Sequence, residues 1–244
     1  MRAMVLCAGY GTRLGDLTRE TPKPMLLLQD RPMLEYIIRH LAQHNFNQIA
    51  INLHFMPETI KTYFGDGSHF GVELEYSYEK ELLGTAGGLK KMANFFSSDD
   101  TFLVHYGDVL TNQDFTSMLN FHNKKGALAT LLLHQRTRSN SVVALDEEGR
   151  ITEFLERPDE TTLRSVASHW VNSGVAICNS NLLKHIPEDE VCDLPRNIFT
   201  KLVSSRQMFG FPLSGYRCAV DSAERLTEAR AIVAMSASHF KPCL

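Results

Sequence analysis

The 244 residues lack most of the features that would place a chain in a specialised class. Cysteine is sparse and unpatterned: Cys7, Cys178, Cys192, Cys218 and Cys243 are odd in number and include no CxxC pair. Neither a disulfide framework nor a zinc site is indicated, and buried, unreactive thiols are expected. There is no basic excess either, since 25 Lys and Arg stand against 28 Asp and Glu for a formal charge of -3. That balance disfavours sequence-independent contact with a nucleic-acid backbone. No apolar run approaches the roughly 18 residues that a membrane span needs, and the stretch from Ala3 to Ala8 is shorter than a signal-peptide core. A cytoplasmic protein with no membrane partner is expected. Linkers, low-complexity tracts and internal repeats are missing too, so one domain over residues 1–244 is expected. With 43% hydrophobic, 22% charged and 9% aromatic residues the composition is that of an ordinary globular protein, which excludes a disordered or collagen-like chain. Function must be sought in motifs.

What is present is an alternation of strand and helix patterns. Arg2 to Ala8 is a short apolar run ending in glycines, which reads as a strand buried on both faces. Pro32 can open a helix whose Leu34, Ile37, Ile38 and Leu41 form one stripe, with Glu35, Arg39 and Gln43 on the other face. A strand at Gln48 to Leu53, a helix from Pro57 to Phe64, a strand at Val72 to Tyr76, a helix from Thr85 to Phe96 and a strand at Thr101 to Tyr106 follow. Further on come a helix at Asp114 to Asn123, a strand at Ala127 to Leu133, and a hairpin of Ser141 to Leu145 with Ile151 to Leu155, Gly149 taking positive φ. Strands at Trp170 to Cys178 and Met208 to Pro212, helices near Leu182 and over Pro195 to Ser204, and a last amphipathic helix from Ser222 to about Ala237 complete the chain. Such alternation predicts an α/β fold, Rossmann-like, with three layers and a mostly parallel mixed central sheet. His40 and His44 have i,i+4 spacing but lack the Glu of H-E-x-x-H, and surface placement is expected. His105 reads either as a buried strand histidine or as a group supporting Asp108.

The first strand runs into Gly9-Tyr-Gly-Thr-Arg-Leu-Gly15, where small residues would let backbone N–H groups approach an anion. Leu14 occupies the sixth place, where a dinucleotide fingerprint has glycine, and no Gly-Lys-Ser/Thr ending follows, so neither that motif nor a P-loop is present. A dehydrogenase is correspondingly disfavoured. The loop does carry Arg13, and Lys23 follows in Thr21-Pro-Lys-Pro24, where two prolines are expected to hold the backbone extended and keep Lys23 out of any helix. Two fixed cations beside a glycine loop suit a triphosphate.

The segment Leu6-Cys-Ala-Gly-Tyr-Gly-Thr-Arg-Leu14 with Thr21-Pro-Lys-Pro-Met25 resembles the G-x-G-T-R-L and P-K-P signature of the sugar-phosphate nucleotidyltransferases. The resemblance covers nearly the whole chain. It implies the nucleotide-diphospho-sugar transferase fold, with a nucleotide-binding part over about residues 1–110, a sugar-binding part over about 111–221 and a C-terminal helix over about 222–238. It further implies that Leu6, Ala8, Gly9, Gly11, Thr12 and Arg13 hold the nucleotide, together with Gly107 and, from Glu81-Leu-Leu-Gly-Thr-Ala-Gly-Gly88, the residues Glu81, Gly84, Thr85 and Ala86. Thr85 can also be read as a helix cap, with the glycines serving only close packing. Asp108, closing Val104-His-Tyr-Gly-Asp108, is implied as a Mg2+ ligand. Glu156, Arg157 and Asn172 match the segments that hold the sugar phosphate, Arg157 standing where the family has Lys and keeping the charge. Asn172 could also be a turn residue.

One departure concerns the second metal ligand. The family's aromatic-x-Asp falls on Ala219 here, and Asp221 lies two residues later. If the strand continues, period-two alternation would put Asp221 on the same side as position 219; otherwise Asp221 caps the helix that starts near Ser222. The implied reaction joins a nucleoside triphosphate and a sugar 1-phosphate with Mg2+ as cofactor and Arg13, Lys23 and Asp108 as catalytic residues, and needs no general base. Tyr10 and the L-G-T-A-G segment look most like mannose- and heptose-1-phosphate guanylyltransferases, so GTP is favoured. Gly65 to Gly71 is similar to uridylyltransferases acting on N-acetylmuramic acid 1-phosphate. A sugar-nucleotide-binding regulator of weak catalytic power is the alternative from another class. A role in cell-surface polysaccharide synthesis and a homo-oligomer are compatible with the resemblance. No β-helical repeat of the kind many relatives add is present, so no acetyltransferase activity is expected of these residues.

Overall fold

The computed structural model describes residues 1–136, 139–159, 161–162, 168, 170–188 and 190–235. Cys243 and residues 236–238 of the expected last helix lie outside them. In chain order the strands are β1 (Arg2–Leu6), β2 (Leu27–Leu28), β3 (Arg31–Pro32), β4 (Gln48–Leu53), β5 (Glu73–Tyr78), β6 (Thr101–Tyr106) and β7 (Val109–Thr111). They continue as β8 (Ala129–Gln135), β9 (Ser141–Leu145), β10 (Ile151–Glu156), β11 (Trp170–Asn179), β12 (Met208–Pro212) and β13 (Arg217–Ala219). The longer helices are α1 (Met33–Gln43), α2 (Pro57–Phe64), α3 (Gly84–Lys91), α4 (Phe115–Lys125) and α5 (Ala223–Met235). No helix among the described residues is long and apolar enough to cross a membrane.

The chain divides into two compact units. The first comprises Met1–Leu82, His105–Gln113 and the described residues from Gly215 onward; the second comprises Leu83–Val104 and the described residues of 114–214. In the first unit β1, β4 and β5 are parallel, with Arg2 opposite Gln48 and Gln48 opposite Glu73. Met4 and Val5 of β1 and Ile49 and Ile51 of β4 are wholly buried, as strands covered on both faces require. α1 turns Leu34, Ile37, Ile38 and Leu41 inward, each worth roughly 1.5–3 kcal/mol of burial. Glu35 departs from its expected outward face: it is buried, accepting from Arg39 Nε at 2.7 Å and from the Tyr63 hydroxyl at 2.7 Å. A carboxylate leaves water only with such partners. His40 is likewise buried rather than on the surface, its Nε2 2.9 Å from the Gln113 carbonyl and its ring edge-on to His44.

Two short ladders escape the sequence pattern. β2 pairs antiparallel with β3, and β7 with β13, Val109 standing opposite Ala219. The first holds α5 in place, because Gln29 Nε2 donates to the Arg230 carbonyl and Arg230 Nε to the Leu27 carbonyl, both at 3.0 Å.

In the second unit β8 lies between β11, antiparallel, and β12, parallel. The β9–β10 hairpin is antiparallel with Gly149 at φ 78°, as its turn demands. Asp114 caps α4 by accepting from Ser117 N–H. α3 stops at Lys91, short of Phe96, and a 3-10 turn over Ala93–Phe96 completes the buried face. The helix expected from Pro195 is a π-helical turn over Leu194–Phe199 followed by short α and 3-10 turns. β6 has its first four residues in the second unit and its last two in the first.

Burial lowers the pKa of both His105 and His122 to about 4, so each is neutral in the folded chain. His105 is buried in β6, its Nδ1 2.9 Å from the Tyr106 carbonyl. Unfolding lets both rings regain a pKa near 6.5, so the unfolded chain binds more protons between about pH 6.5 and 4. Urea midpoints are expected to be flat above about pH 6.5 and to fall steadily on acidification toward about pH 4. A flat profile across that window would contradict the burial of the two rings.

Candidate functional site

In the first unit the glycine loop is anchored by a chain of hydrogen bonds starting where β1 ends. Cys7 N–H donates to Asn52 Oδ1 at 2.8 Å, and Asn52 Nδ2 donates to the buried Glu79 carboxylate at 2.8 Å. The Glu79 carbonyl lies 2.7 Å from His54 Nδ1, which must donate because a carbonyl only accepts. On the other side of the ring Nε2 lies 2.6 Å from the Tyr10 hydroxyl, tethering the exposed Tyr10 at the loop tip. Gly11 sits at φ 69°, and a Cβ there would come within 3.1 Å of Lys23 Cβ and 3.2 Å of Thr18 Cγ2. Only glycine satisfies both constraints. Leu6 and Ala8 are half-buried and buried respectively, whereas Gly9 and Thr12 are exposed.

Lys23 begins a single 3-10 turn, Lys23–Met25, instead of staying extended. The extended residue is Pro22, at ψ 141°, and Pro24 sits where a helix start tolerates a missing N–H. The turn aims Lys23 Nζ at Asp108 Oδ2, 2.5 Å away, with the two side chains only 10% and 29% exposed. Asp108 follows Gly107, whose N–H donates to the Leu6 carbonyl at 2.9 Å. A Cβ on Gly107 would stand 2.5 Å from Cys7 Sγ, so the acid approaches the end of β1 only because residue 107 is glycine. Burial, and then the Asp108 charge, push the Cys7 thiol well above its ordinary pKa. All four described cysteines are free and buried, as expected.

Asp221 reaches the same group by a route the alternation argument does not describe. β13 ends at Ala219, and Asp221 N–H bends back to the Ala219 carbonyl at 3.0 Å, a three-residue turn. Val220 N–H donates to the Asp108 carbonyl at 2.9 Å, bringing the two acidic residues into adjoining turns. Asp221 Oδ2 pairs with Arg13 Nη1 at 3.5 Å in an exposed setting. It does not cap α5: Ser222 does, its Oγ accepting from Arg225 N–H at 3.2 Å and its carbonyl from Leu226 N–H at 3.0 Å. Glu81, exposed in the same unit, makes no hydrogen bond among the described residues.

The second unit carries the remaining candidates. Gly84, Thr85 and Ala86 open α3, and Gly84 takes φ 75°. Glu156, half-buried at the end of β10, has its pKa raised by burial; the Arg157 charge opposes the rise, Asp193 adds to it and Arg196 opposes it. Arg157 holds a left-handed φ of 52° and its Nε is 3.9 Å from Glu156 Oε1. Asn172 lies in β11, where its Oδ1 accepts from Gly174 N–H at 3.1 Å across a bulge, and its Nδ2 makes no hydrogen bond among the described residues. No motif marks Asn52, His54, Glu79, Asp193 or Arg196, and Asn52, His54, Glu79 and Asp193 bond residues distant in the chain.

The sequence profile of the family described as nucleotidyl transferase matches residues 2–215. The chain belongs to that family. The chain is 37% identical over 219 residues to a UTP–glucose-1-phosphate uridylyltransferase of Synechocystis, covering 84% of this chain and 56% of the relative. It is 31% identical over 218 residues to a mannose-1-phosphate guanylyltransferase of Mycobacterium tuberculosis, covering 88% and 59%. The chain thus spans little more than half the length of these curated relatives. A solved UDP-glucose pyrophosphorylase complexed with UDP-glucose superposes with TM-score 0.82 at 17% identity, over 96% of this chain and 98% of that one. The expected mixed, mostly parallel central sheet flanked by helices is therefore that of the nucleotide-diphospho-sugar transferase fold.

The division of labour between Asp221 and Ser222 is testable by denaturation. Ser222→Ala is expected to cost about 1 kcal/mol of stability through the lost cap, whereas exposed Asp221→Asn should stay within about 0.5 kcal/mol of wild type. The reverse order would return the capping role to Asp221.

Proposed function

We propose that this nucleotidyl transferase condenses a nucleoside triphosphate with a sugar 1-phosphate, releasing pyrophosphate and forming a nucleoside-diphosphate sugar. The observation that carries the reading is the group of two cations and two carboxylates beside the glycine loop, Lys23 with Asp108 and Arg13 with Asp221. An oxygen of the sugar phosphate attacks the α-phosphorus in line. The bond from that phosphorus to the bridging oxygen breaks, and the electron pair leaves with pyrophosphate. The nucleophile is already anionic, so no side chain need remove a proton.

Lys23 and Arg13 supply positive charge for the phosphoryl oxygens, each held beside the glycine loop by a carboxylate partner until the substrate arrives. The exposed Gly9 and Thr12 offer the phosphates close approach to the backbone. The paired acids also suit a divalent cation. Asp108 and Asp221 are hard oxygen donors in adjoining turns, and among the described residues no third His, Cys, Asp or Glu completes a cluster. Two carboxylates with the remaining places left to phosphate and water is the pattern Mg2+ adopts in nucleotide sites. Bound there, the metal would neutralise charge on the transferring phosphate. Glu156, Arg157 and Asn172 are assigned to the sugar phosphate, and Glu81, Gly84, Thr85 and Ala86 to the nucleoside.

GTP is the first choice of nucleotide, supported by Tyr10, the L-G-T-A-G segment and the mannose-1-phosphate guanylyltransferase relatives. The uridylyltransferase relative makes UTP the competitor to test beside it. Pyrophosphate release with Mg2+, measured for GTP, UTP, dTTP, CTP and ATP against mannose, glucose, heptose and N-acetylmuramic acid 1-phosphates, is expected to show one dominant pair. Silence in every pair would overturn the reading. Lys23→Ala and Asp108→Asn should each lower kcat/KM by at least about a hundredfold, and near-wild-type turnover in either would remove that residue from the machinery.

A further inference from the structure

The opening of α3 is held by a strap, Glu190 to Asn197, of its own unit. Thr85 N–H and the Thr85 hydroxyl both donate to Asp193 Oδ1, each at 3.2 Å, and the hydroxyl oxygen accepts from Leu194 N–H at 2.7 Å. Ala86 and Gly87 N–H donate to the Cys192 carbonyl at 2.8 and 3.0 Å, and Cys192 N–H donates to the Leu83 carbonyl at 2.8 Å. Asp193 is itself fixed, its N–H donating to Asn197 Oδ1 at 2.8 Å and its carbonyl accepting from Asn197 N–H at 2.9 Å. The glycines of the motif make the approach: a Cβ on Gly84 would stand 2.5 Å from the Cys192 carbonyl oxygen, and one on Gly87 2.9 Å from that of Glu190.

The first N–H groups of a helix are ordinarily left without intrahelical partners, and a nucleotide segment can offer them to phosphate. Here those of Thr85, Ala86 and Gly87 are spent within the chain, together with the Thr85 hydroxyl. What Gly84, Thr85 and Ala86 bring to a ligand is then their placement, which a base or ribose can pack against, rather than free donors. Within that strap, both donors of Thr85 go to one carboxylate oxygen, that of Asp193. We propose that Asp193 is a positioning residue for nucleotide binding, acting through its hydrogen bonds to Thr85 without touching the nucleotide. The inference rests on the assignment of residues 84–86 to the nucleoside.

The experiment titrates the full chain with fluorescently labelled GTP and UTP, and measures kcat and both KM values on the better pair. Asp193→Ala should weaken nucleotide binding about tenfold and raise the nucleotide KM in step, with kcat changed by less than about threefold. Asp193→Asn keeps an oxygen that accepts from Thr85 and should bind within about threefold of wild type, which separates the hydrogen bonds from the charge. Thr85→Val should weaken binding as Asp193→Ala does, and the double variant should be no weaker than either single one, because both remove the same contact. Thr85→Val carries the test if Asp193→Ala fails to fold. Variants that lose thermal stability yet bind nucleotide like wild type would overturn the proposal and leave the strap a purely structural clamp. A wild-type chain that binds neither nucleotide would overturn instead the assignment on which it rests.

Discussion

The part-buried ion pair between Lys23 and Asp108 commits two residues 85 positions apart to one place. Lys23, whose side chain is only 10% exposed, would be costly to hold there without an opposite charge, so the chain must deliver both. Much of the first unit is arranged to that end. Gly11 gives up a side chain so that the loop can lie against the Lys23 stem, and Gly107 does the same so that the Asp108 turn can sit against Cys7 and Leu6. The Val220 N–H bond to the Asp108 carbonyl extends the β7–β13 ladder by one residue, and Asp221 arrives with it. Placing one pair therefore places the second.

How far this was visible beforehand depends on the reach of the interactions. Strands at Gln48–Leu53, Thr101–Tyr106 and Met208–Pro212, and the helix at Pro57–Phe64, have the bounds their apolar runs and glycine or proline stops dictate. The two- and three-residue strands of the small ladders are too short for any period to register. Glu35 and His40 read as outward-facing because the helical pattern assigns polar residues to solvent; Tyr63 and the Gln113 carbonyl, which make their burial tolerable, lie 28 and 73 residues away. The candidate site divides the same way. Its glycines, Arg13, Lys23 and Asp108 stand in motifs, while Asn52, His54 and Glu79 anchor the loop over separations of 25 to 45 residues, without a local signature. Asp221 was visible as a carboxylate, but its turn is decided by the Val220 bond to residue 108, which no alternation rule contains.

The two units treat their candidate cations differently. Arg13 and Lys23 each face a carboxylate. Arg157 lies 3.9 Å from Glu156, and Arg196, exposed, makes no ion pair among the described residues. Both arginine charges are nevertheless felt at Glu156, where they oppose the rise that burial imposes. A planar guanidinium with few commitments can take a phosphate oxygen pair without first breaking a strong contact. Arg157 holds a left-handed backbone, a conformation that costs an L-residue strain.

The opposite holds beside the glycine loop, where two cations and two carboxylates sum to zero charge. A triphosphate entering alone would have to draw Lys23 and Arg13 away from their acids and leave two carboxylates facing the incoming anion. A divalent cation entering alone would meet acids already neutralised. In the proposed reaction the two arrivals would help each other: Lys23 and Arg13 would turn to the anion, and Asp108 and Asp221 would be left to hold a divalent cation, so that each charge would exchange one opposite partner for another. Such coupling is reciprocal by thermodynamic necessity, so the pairing that stabilises the unliganded loop also selects metal and nucleotide together over either one alone.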